Sequence, residues 1–168
     1  MKVLINDANI LIDIVKLGIE EAFLSLHFDL YTTDFVFAEL ADEQQKRITS
    51  EKLKVIVTET PEDFSGIVAL HSSNKGVSFE DCSVWYYAGK MAGTMITGDA
   101  TLRKKVEQSG LEVKGIIFIV EEIKKQEKLS VADCIARFEE LKLLNKRLPF
   151  VEIDKRIQKW KNEQLAAK

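Results

Sequence analysis

The sequence predicts an α/β protein: a three-layer α/β/α sandwich around a mainly parallel sheet, followed by a C-terminal helical extension. Three observations carry this. Short β-rich runs alternate with helical patterns as far as about residue 114. The first run, VLIN, stops at a carboxylate, Asp7, where a strand in an open sheet would present a side chain at its edge. Beyond about residue 115 the β-rich runs cease and only helical patterns follow.

In order, Val3–Asn6 reads as a strand and Ala8–Lys16 as a helix. FDLYT (Phe28–Thr32) is a second strand, and the helix after it is expected from Asp34 to about Arg47. KVIVT (Lys54–Thr58) is a third strand, and Pro61 suits the first turn of a helix reaching about Ser72. A helix over Phe79–Met91, a strand over Thr94–Thr97, a helix over Ala100–Gln108 and a strand over Leu111–Lys114 complete the alternation. Three helices are then expected near Ile116–Gln126, Val131–Leu144 and Glu152–Gln164, with NKRLPF breaking the last two. The stretch 129–145 is more apolar than one narrow stripe requires, so it must pack on the body, on another subunit or on a partner protein. Residues 1–120 are expected to form the α/β domain and 121–168 the extension packed on it.

At 168 residues, with 46% apolar and 30% charged side chains, the chain suits one soluble domain with a real core. It shows no signal-peptide pattern and no apolar run of membrane-spanning length, so a cytoplasmic protein is expected. Cys82 and Cys134 sit within helical patterns without a CxxC or Cys/His cluster, which disfavours disulfide and zinc readings. The net charge of −3 argues against a general nucleic-acid coat, but it is uneven. Residues 1–120 carry 12 basic and 18 acidic side chains, and residues 121–168 carry 12 and 9. That mildly basic tail can engage RNA locally or simply be a solvated helical face.

Four acidic residues are candidates for chemistry. Asp7 follows VLIN and Asp99 follows MITG, both at strand ends; Glu39 lies in TTDFVFAEL and Asp81 in VSFED, each in a helix. Each has a plainer role open to it. Asp7 and Asp99 can cap the helices starting at Ala8 and Ala100, at about 1 kcal/mol each, and Ser78-x-x-Asp81 resembles a capping box. Glu39, amid Phe35, Val36, Phe37 and Leu40, is too deep in its helix to cap. Two carboxylates about 4 Å apart repel by roughly 4 kcal/mol at an effective dielectric near 20, so converging acids need a cation or protons. Oxygen donors without His or Cys suit Mg²⁺ or Mn²⁺.

DANIL (Asp7–Leu11), AEL (Ala38–Leu40), SFED (Ser78–Asp81) and TGDATL (Thr97–Leu102) together resemble the successive motifs of the PIN-domain family, over roughly residues 1–120. The resemblance implies an Mg²⁺- or Mn²⁺-dependent ribonuclease, most often the toxin of a VapC-like toxin–antitoxin pair. Its expected partners are an RNA substrate, an antitoxin protein and a second copy of the chain. Carried over residue by residue, it makes Asp7, Glu39, Asp81 and Asp99 the acidic site, with Asp7, Asp81 and Asp99 holding metal. Asn9 would orient Asp7 or water, and Thr97 would support the pocket. Ala8 departs from the Thr or Ser common after the first Asp, which removes a hydroxyl but no charge. A non-catalytic PIN-like binding or scaffold domain is the alternative.

Arg103 and Lys104, one turn past Asp99, are candidate phosphate contacts. Asp13 is expected to face solvent, Glu80 to face away from Asp81, and Glu43 to substitute for Glu39 were that residue to point elsewhere. Trp85 is read as core packing, and His27 and His71 as structural. LINDANIL contains no glycine, so a dinucleotide-binding first turn is excluded. An aspartyl-phosphate mechanism is disfavoured by Asn9 at its second acidic position.

Overall fold

The computed structural model describes residues 1–168. Its elements are β1 (Val3–Asn6), α1 (Ala8–Leu17), α2 (Glu20–Leu24), β2 (Asp29–Thr33), α3 (Asp34–Glu39), α4 (Asp42–Ile48) and β3 (Leu53–Ile56). There follow α5 (Pro61–Ser73), α6 (Phe79–Lys90), β4 (Thr94–Ile96), α7 (Ala100–Gln108), β5 (Val113–Lys114), α8 (Ile116–Lys125), α9 (Val131–Leu144) and α10 (Phe150–Ala166).

The five strands form one parallel sheet in the order β3-β2-β1-β4-β5. Parallel neighbours need crossovers, which the helices between strands supply. Successive strand side chains point to opposite faces, yet Leu4, Ile5 and Asn6 are all fully buried, so helices cover both sides of β1. On one side α6 packs along β1, β2 and β4, with α5 against it; α1, α2, α8 and α9 form a second packed group. The chain turns from one half of the sheet to the other between β1 and β4, which are hydrogen-bonded neighbours in register Asn6↔Ile96. In such sheets the crevice beyond the strands' carboxyl ends at this reversal is where ligands bind.

Two local departures from the sequence pattern matter. The helix expected from Asp34 to Arg47 breaks into α3 and α4, because Leu40 and Ala41 adopt extended backbone. Polar side chains stabilise the break: Gln44 Oε1 accepts from Ala41 N–H (2.9 Å), and Gln45 Nε2 donates to the carbonyls of Phe37 and Leu40. The apolar spacing runs through this point, so periodicity alone does not see it. The short helix α2 was also not anticipated; its five residues are too few to show a period. It becomes possible because Gly18, at φ 64°, ends α1 in the left-handed conformation.

The C-terminal helices share the core of the body. Cys134, Phe138 and Leu141 of α9 and Ile153 of α10 are fully buried, and the Phe138 and Trp160 rings stack with centroids 5.0 Å apart. α9 packs on α1 and α8, and α10 packs on α9. Leu143 and Leu144, by contrast, stay exposed. Phe138→Ala is expected to cost about 3 kcal/mol in a urea unfolding curve, as truncation of a fully buried ring does. A loss below about 1 kcal/mol would show that α9 is not integral to the core. No helix is long and apolar enough to cross a membrane.

Candidate active site

The crevice between β1 and β4 is built by short-range chemistry first. β1 ends when Asp7 leaves the strand; its N–H still bonds to the Ile96 carbonyl at 3.0 Å, which extends the β1–β4 pairing to the residue itself. Asp7 Oδ1 then accepts the Ile10 N–H at 2.9 Å, starting α1. At the neighbouring strand end Asp99 Oδ1 accepts the Leu102 N–H at 2.8 Å, starting α7, and its own N–H donates to Thr97 Oγ1 at 3.1 Å. Both aspartates are therefore N-caps. Capping uses only one oxygen of each, and Asp7 Oδ2 is buried without any hydrogen-bond partner. A cap in a plain structural role has no reason to bury a bare carboxylate oxygen.

The acidic residues from the other elements close on this point. Burial pushes the Asp7 carboxyl up to about 7, the charge of Asp81 adding to the effect; the Ile10 N–H bond opposes it, as do the nearby Thr97 hydroxyl and Gly98 N–H, which lie outside hydrogen-bond geometry to Oδ2. Asp81, half-buried in the first turn of α6, is raised by burial and then by the charges of Asp99 and Glu80, against the hydrogen bond from Ser78. Glu39, at the end of α3, is raised by partial burial and by the charges of Glu80 and Asp81. Asp81 is thus the hub: its charge is felt at Asp7 and Glu39, and Asp99's charge is felt at Asp81. The four predicted acids share one electrostatic field, linked through Asp81. No three of them stand close enough together to form a ready-made metal-ligand group.

Glu80 belongs to this field, contrary to expectation. Helical spacing suggests that it faces away from Asp81, but both occupy the first turn of α6, whose N-terminal end opens toward Glu39. The acidic pair in SFED was the available signal. Asp13 is a second correction: it is only 8% exposed, raised mainly by burial, and its Oδ2 accepts from Asn145 Nδ2 at 3.1 Å, tying α1 to the α9–α10 connection. Asn9 is exposed and makes no hydrogen bond to Asp7; with Asp13, Gly98 and Asp99 it lines a cavity of about 420 Å³. Glu43 is exposed on α4, beyond the break. Trp85 is core, as expected, with its Nε1 donating to Ser109 Oγ at 3.3 Å. Burial pushes the Cys82 and Cys134 thiols up to about 11, so neither is a nucleophile.

The walls of the crevice are held by a buried hydroxyl pair. Thr33 Oγ1 accepts from Val36 N–H (3.2 Å), starting the helix that carries Glu39, and lies 2.7 Å from Ser83 Oγ on the helix that carries Asp81. Thr33→Val removes both bonds, with an expected cost of about 2 kcal/mol in denaturant melts, and Thr33→Ser restores most of it. Equal stability of the Val variant and the parent would mean that the pair does not hold α3 against α6.

The donor set is all oxygen, includes one buried carboxylate oxygen without a partner, and holds Asp7, Asp81 and Glu39 above the usual carboxylate range by burial and mutual charge. That fits a hard divalent cation. Mg²⁺ in particular is bound by one or two carboxylates and retains several waters, so a group of three or more direct protein ligands is not required.

Comparison with known proteins identifies the fold and the family. A PIN-domain family model matches residues 3–162, nearly the whole chain. Among solved structures, PAE2754 from Pyrobaculum aerophilum superposes with a TM-score of 0.52 at 14% identity, covering 72% of this chain and 96% of that one. VapBC2 from Rickettsia felis, whose structure is bound to a DNA fragment from the VapBC2 promoter, gives a TM-score of 0.50 at 13% identity, covering 67% and 98%. At such identities the likeness is one of fold. No curated protein matches the sequence. The match over residues 3–162, on the sheet and acidic crevice described, places the chain in one family: it belongs to the PIN-domain family.

Proposed function

We propose that the protein is a metal-dependent ribonuclease that hydrolyses RNA phosphodiester bonds, and that it is the toxin of a toxin–antitoxin pair. The observation that carries the catalytic reading is the buried, unpartnered Oδ2 of Asp7 at the centre of a field of acids. Asp7, Asp81 and Asp99 would hold Mg²⁺ or Mn²⁺, one or two of them directly and the remainder through bound water. When bound, the ion supplies positive charge against phosphate oxygens and increases the acidity of water. Glu39, exposed and raised above the usual carboxylate range by partial burial and the charges of Glu80 and Asp81, would take the proton of the attacking water at its carboxylate. Thr97 fixes the Asp99 backbone by its hydroxyl and lies beside Asp7, so it positions both strand-end acids.

The antitoxin partner is proposed on the order DANIL, AEL, SFED and TGDATL, which resembles that of the PIN-domain family with its many VapC-like toxins, and on the fold shared with VapBC2. A non-catalytic scaffold is the second reading, favoured by the lack of three acids close enough to ligate one ion together.

One experiment separates them. Purified protein freed of any partner is incubated with a mixture of labelled RNAs in Mg²⁺, Mn²⁺ or EDTA, and metal binding is followed by calorimetry in parallel. Cleavage in metal that stops in EDTA is the expected result. Cleavage that persists in EDTA overturns the mechanism, and the absence of both cleavage and metal binding establishes the scaffold.

A further inference from the structure

The connection between α9 and α10, residues 145–149, brings Arg147 against the Thr97–Ala100 loop of the acidic site. Arg147 lines two cavities that flank this loop: the one shared by Asn9 and Asp99, and a second of about 590 Å³. That volume lies within the range of about 300–1,000 Å³ typical of small-ligand sites. The second cavity is walled by Thr97 and Gly98 just after β4, by Arg103 of α7, by Lys114 at the end of β5 and Gly115 after it, and by Arg147.

Its charge is unbalanced. Four cations line it (Arg103, Lys114, Arg147 and Arg156) against two carboxylates, Glu121 and Glu152. Both carboxylates are engaged by Arg156, at 2.6 and 3.2 Å, and Lys114 makes only a long 3.6 Å contact with Glu112 outside the cavity. The arginines in ion pairs are Arg47, Arg137 and Arg156; Arg103 and Arg147 are in none.

Arg103 also packs closely against the Gly115 backbone. A Cβ on residue 115 would lie 2.7 Å from its guanidinium and 3.3 Å from the Thr97 carbonyl, so glycine there lets the guanidinium lie against the backbone. Arg103 stands one helical turn past Asp99, and its N–H bonds to the Asp99 carbonyl at 2.9 Å. A guanidinium packed this way, half-buried and in no ion pair, keeps its donors free for a bidentate oxyanion.

We propose that this cavity is a phosphate-binding subsite for the RNA strand: Arg103 and Arg147 hold a phosphodiester adjacent to the one at the acidic crevice. The C-terminal helices thereby take part in substrate binding through Arg147. This inference rests on the ribonuclease reading of the acidic site. RNA phosphate is favoured over an acidic protein segment because the cavity shares Gly98, Ala100 and Arg147 with the cavity that Asp99 lines, so the two are contiguous along this loop.

The test uses the full chain and a short labelled oligoribonucleotide in EDTA, with affinity read by fluorescence anisotropy over a range of KCl concentrations. Each phosphate contact contributes about 0.7 to the slope of log K against log salt for a single strand. Arg103→Ala/Arg147→Ala is expected to reduce that slope by about 1.4 and to weaken binding on the order of tenfold. Lys161→Ala/Lys168→Ala, outside the cavity, is expected to bind like the parent. Arg147→Glu, at an exposed position, provides a variant whose folding is not in question, and it too is expected to weaken binding.

Parental affinity and slope in both arginine variants overturn the subsite. So does a parent that binds no RNA, or arginine variants that lose only an acidic protein partner. Cleavage is scored separately. Arginine-dependent binding without cleavage by the parent leaves the subsite and removes the nuclease; cleavage that the arginine variants perform at the parental KM does the reverse.

Discussion

Asp7→Asn is expected to lower RNA cleavage in Mg²⁺ or Mn²⁺ on the order of 10³-fold or more, equivalent to about 4 kcal/mol of transition-state stabilisation. The substitution keeps the size of the side chain and its capping oxygen but removes the one carboxylate that is both fully buried and left with an unpartnered oxygen. If Asp7, Asp81 and Asp99 hold the ion and Glu39 accepts a proton, the four act as one unit, and losses within a unit do not add. Asp7→Asn/Glu39→Gln should therefore be no more than slightly worse than Asp7→Asn alone. The measurement is the initial rate of cleavage of a labelled RNA by each variant at matched metal concentration. Full additivity of the two losses would assign Asp7 and Glu39 to independent roles, and parental activity in Asp7→Asn would end the mechanism.

Much of this site is readable in the sequence for a definite reason. An apolar strand that stops at an acid, twice, on strands that the topology makes neighbours, leaves both carboxylates at one edge; VLIN–Asp7 and MITG–Asp99 are such signals. The dual role of these residues also follows from local chemistry, since an N-cap uses one carboxylate oxygen and leaves the other free. The rest depends on contacts that no local pattern encodes. The break at Leu40 places Glu39 at the end of its helix, and it is stabilised by Gln44 and Gln45 rather than by any change in apolar spacing. Glu80 enters the field because the end of α6 points into the crevice, which is a property of packing. Asp13 is buried by Asn145, 132 residues away, and Arg147 reaches the Thr97–Ala100 loop through the same connection. A basic residue in NKRLPF carries no sign of that destination.

The same Asp7→Asn substitution that removes activity is expected to stabilise the metal-free protein, and the effect should depend on pH in a defined direction. The Asp7 carboxyl has its pKa raised from 3.8 to about 7 in the folded state, mainly by burial. Between these values the folded state binds a proton that the unfolded chain has lost, so stability falls as pH rises through this window and levels off above about 7. Below 3.8 both states are protonated and Asp7 contributes no penalty. Above the window, the shift corresponds to about 4 kcal/mol, an order-of-magnitude figure. Asparagine at this position is neutral and still caps α1 through its amide oxygen to Ile10 N–H, so it avoids the cost while keeping the bond. In EDTA, thermal melts near pH 8 should place Asp7→Asn above the parent by roughly 10 °C, and near pH 4 the two should nearly coincide. Asp81 and Glu39 are raised in the same direction and keep a smaller pH dependence in the variant. Millimolar Mn²⁺ should close part of the gap by stabilising the parent, because a ligand bound only by the folded state raises its stability, and the variant should respond less. An Asp7→Asn protein that melts below the parent near pH 8, or a gap that does not change with pH, would mean that the burial of this carboxylate is not the stored cost that its surroundings imply.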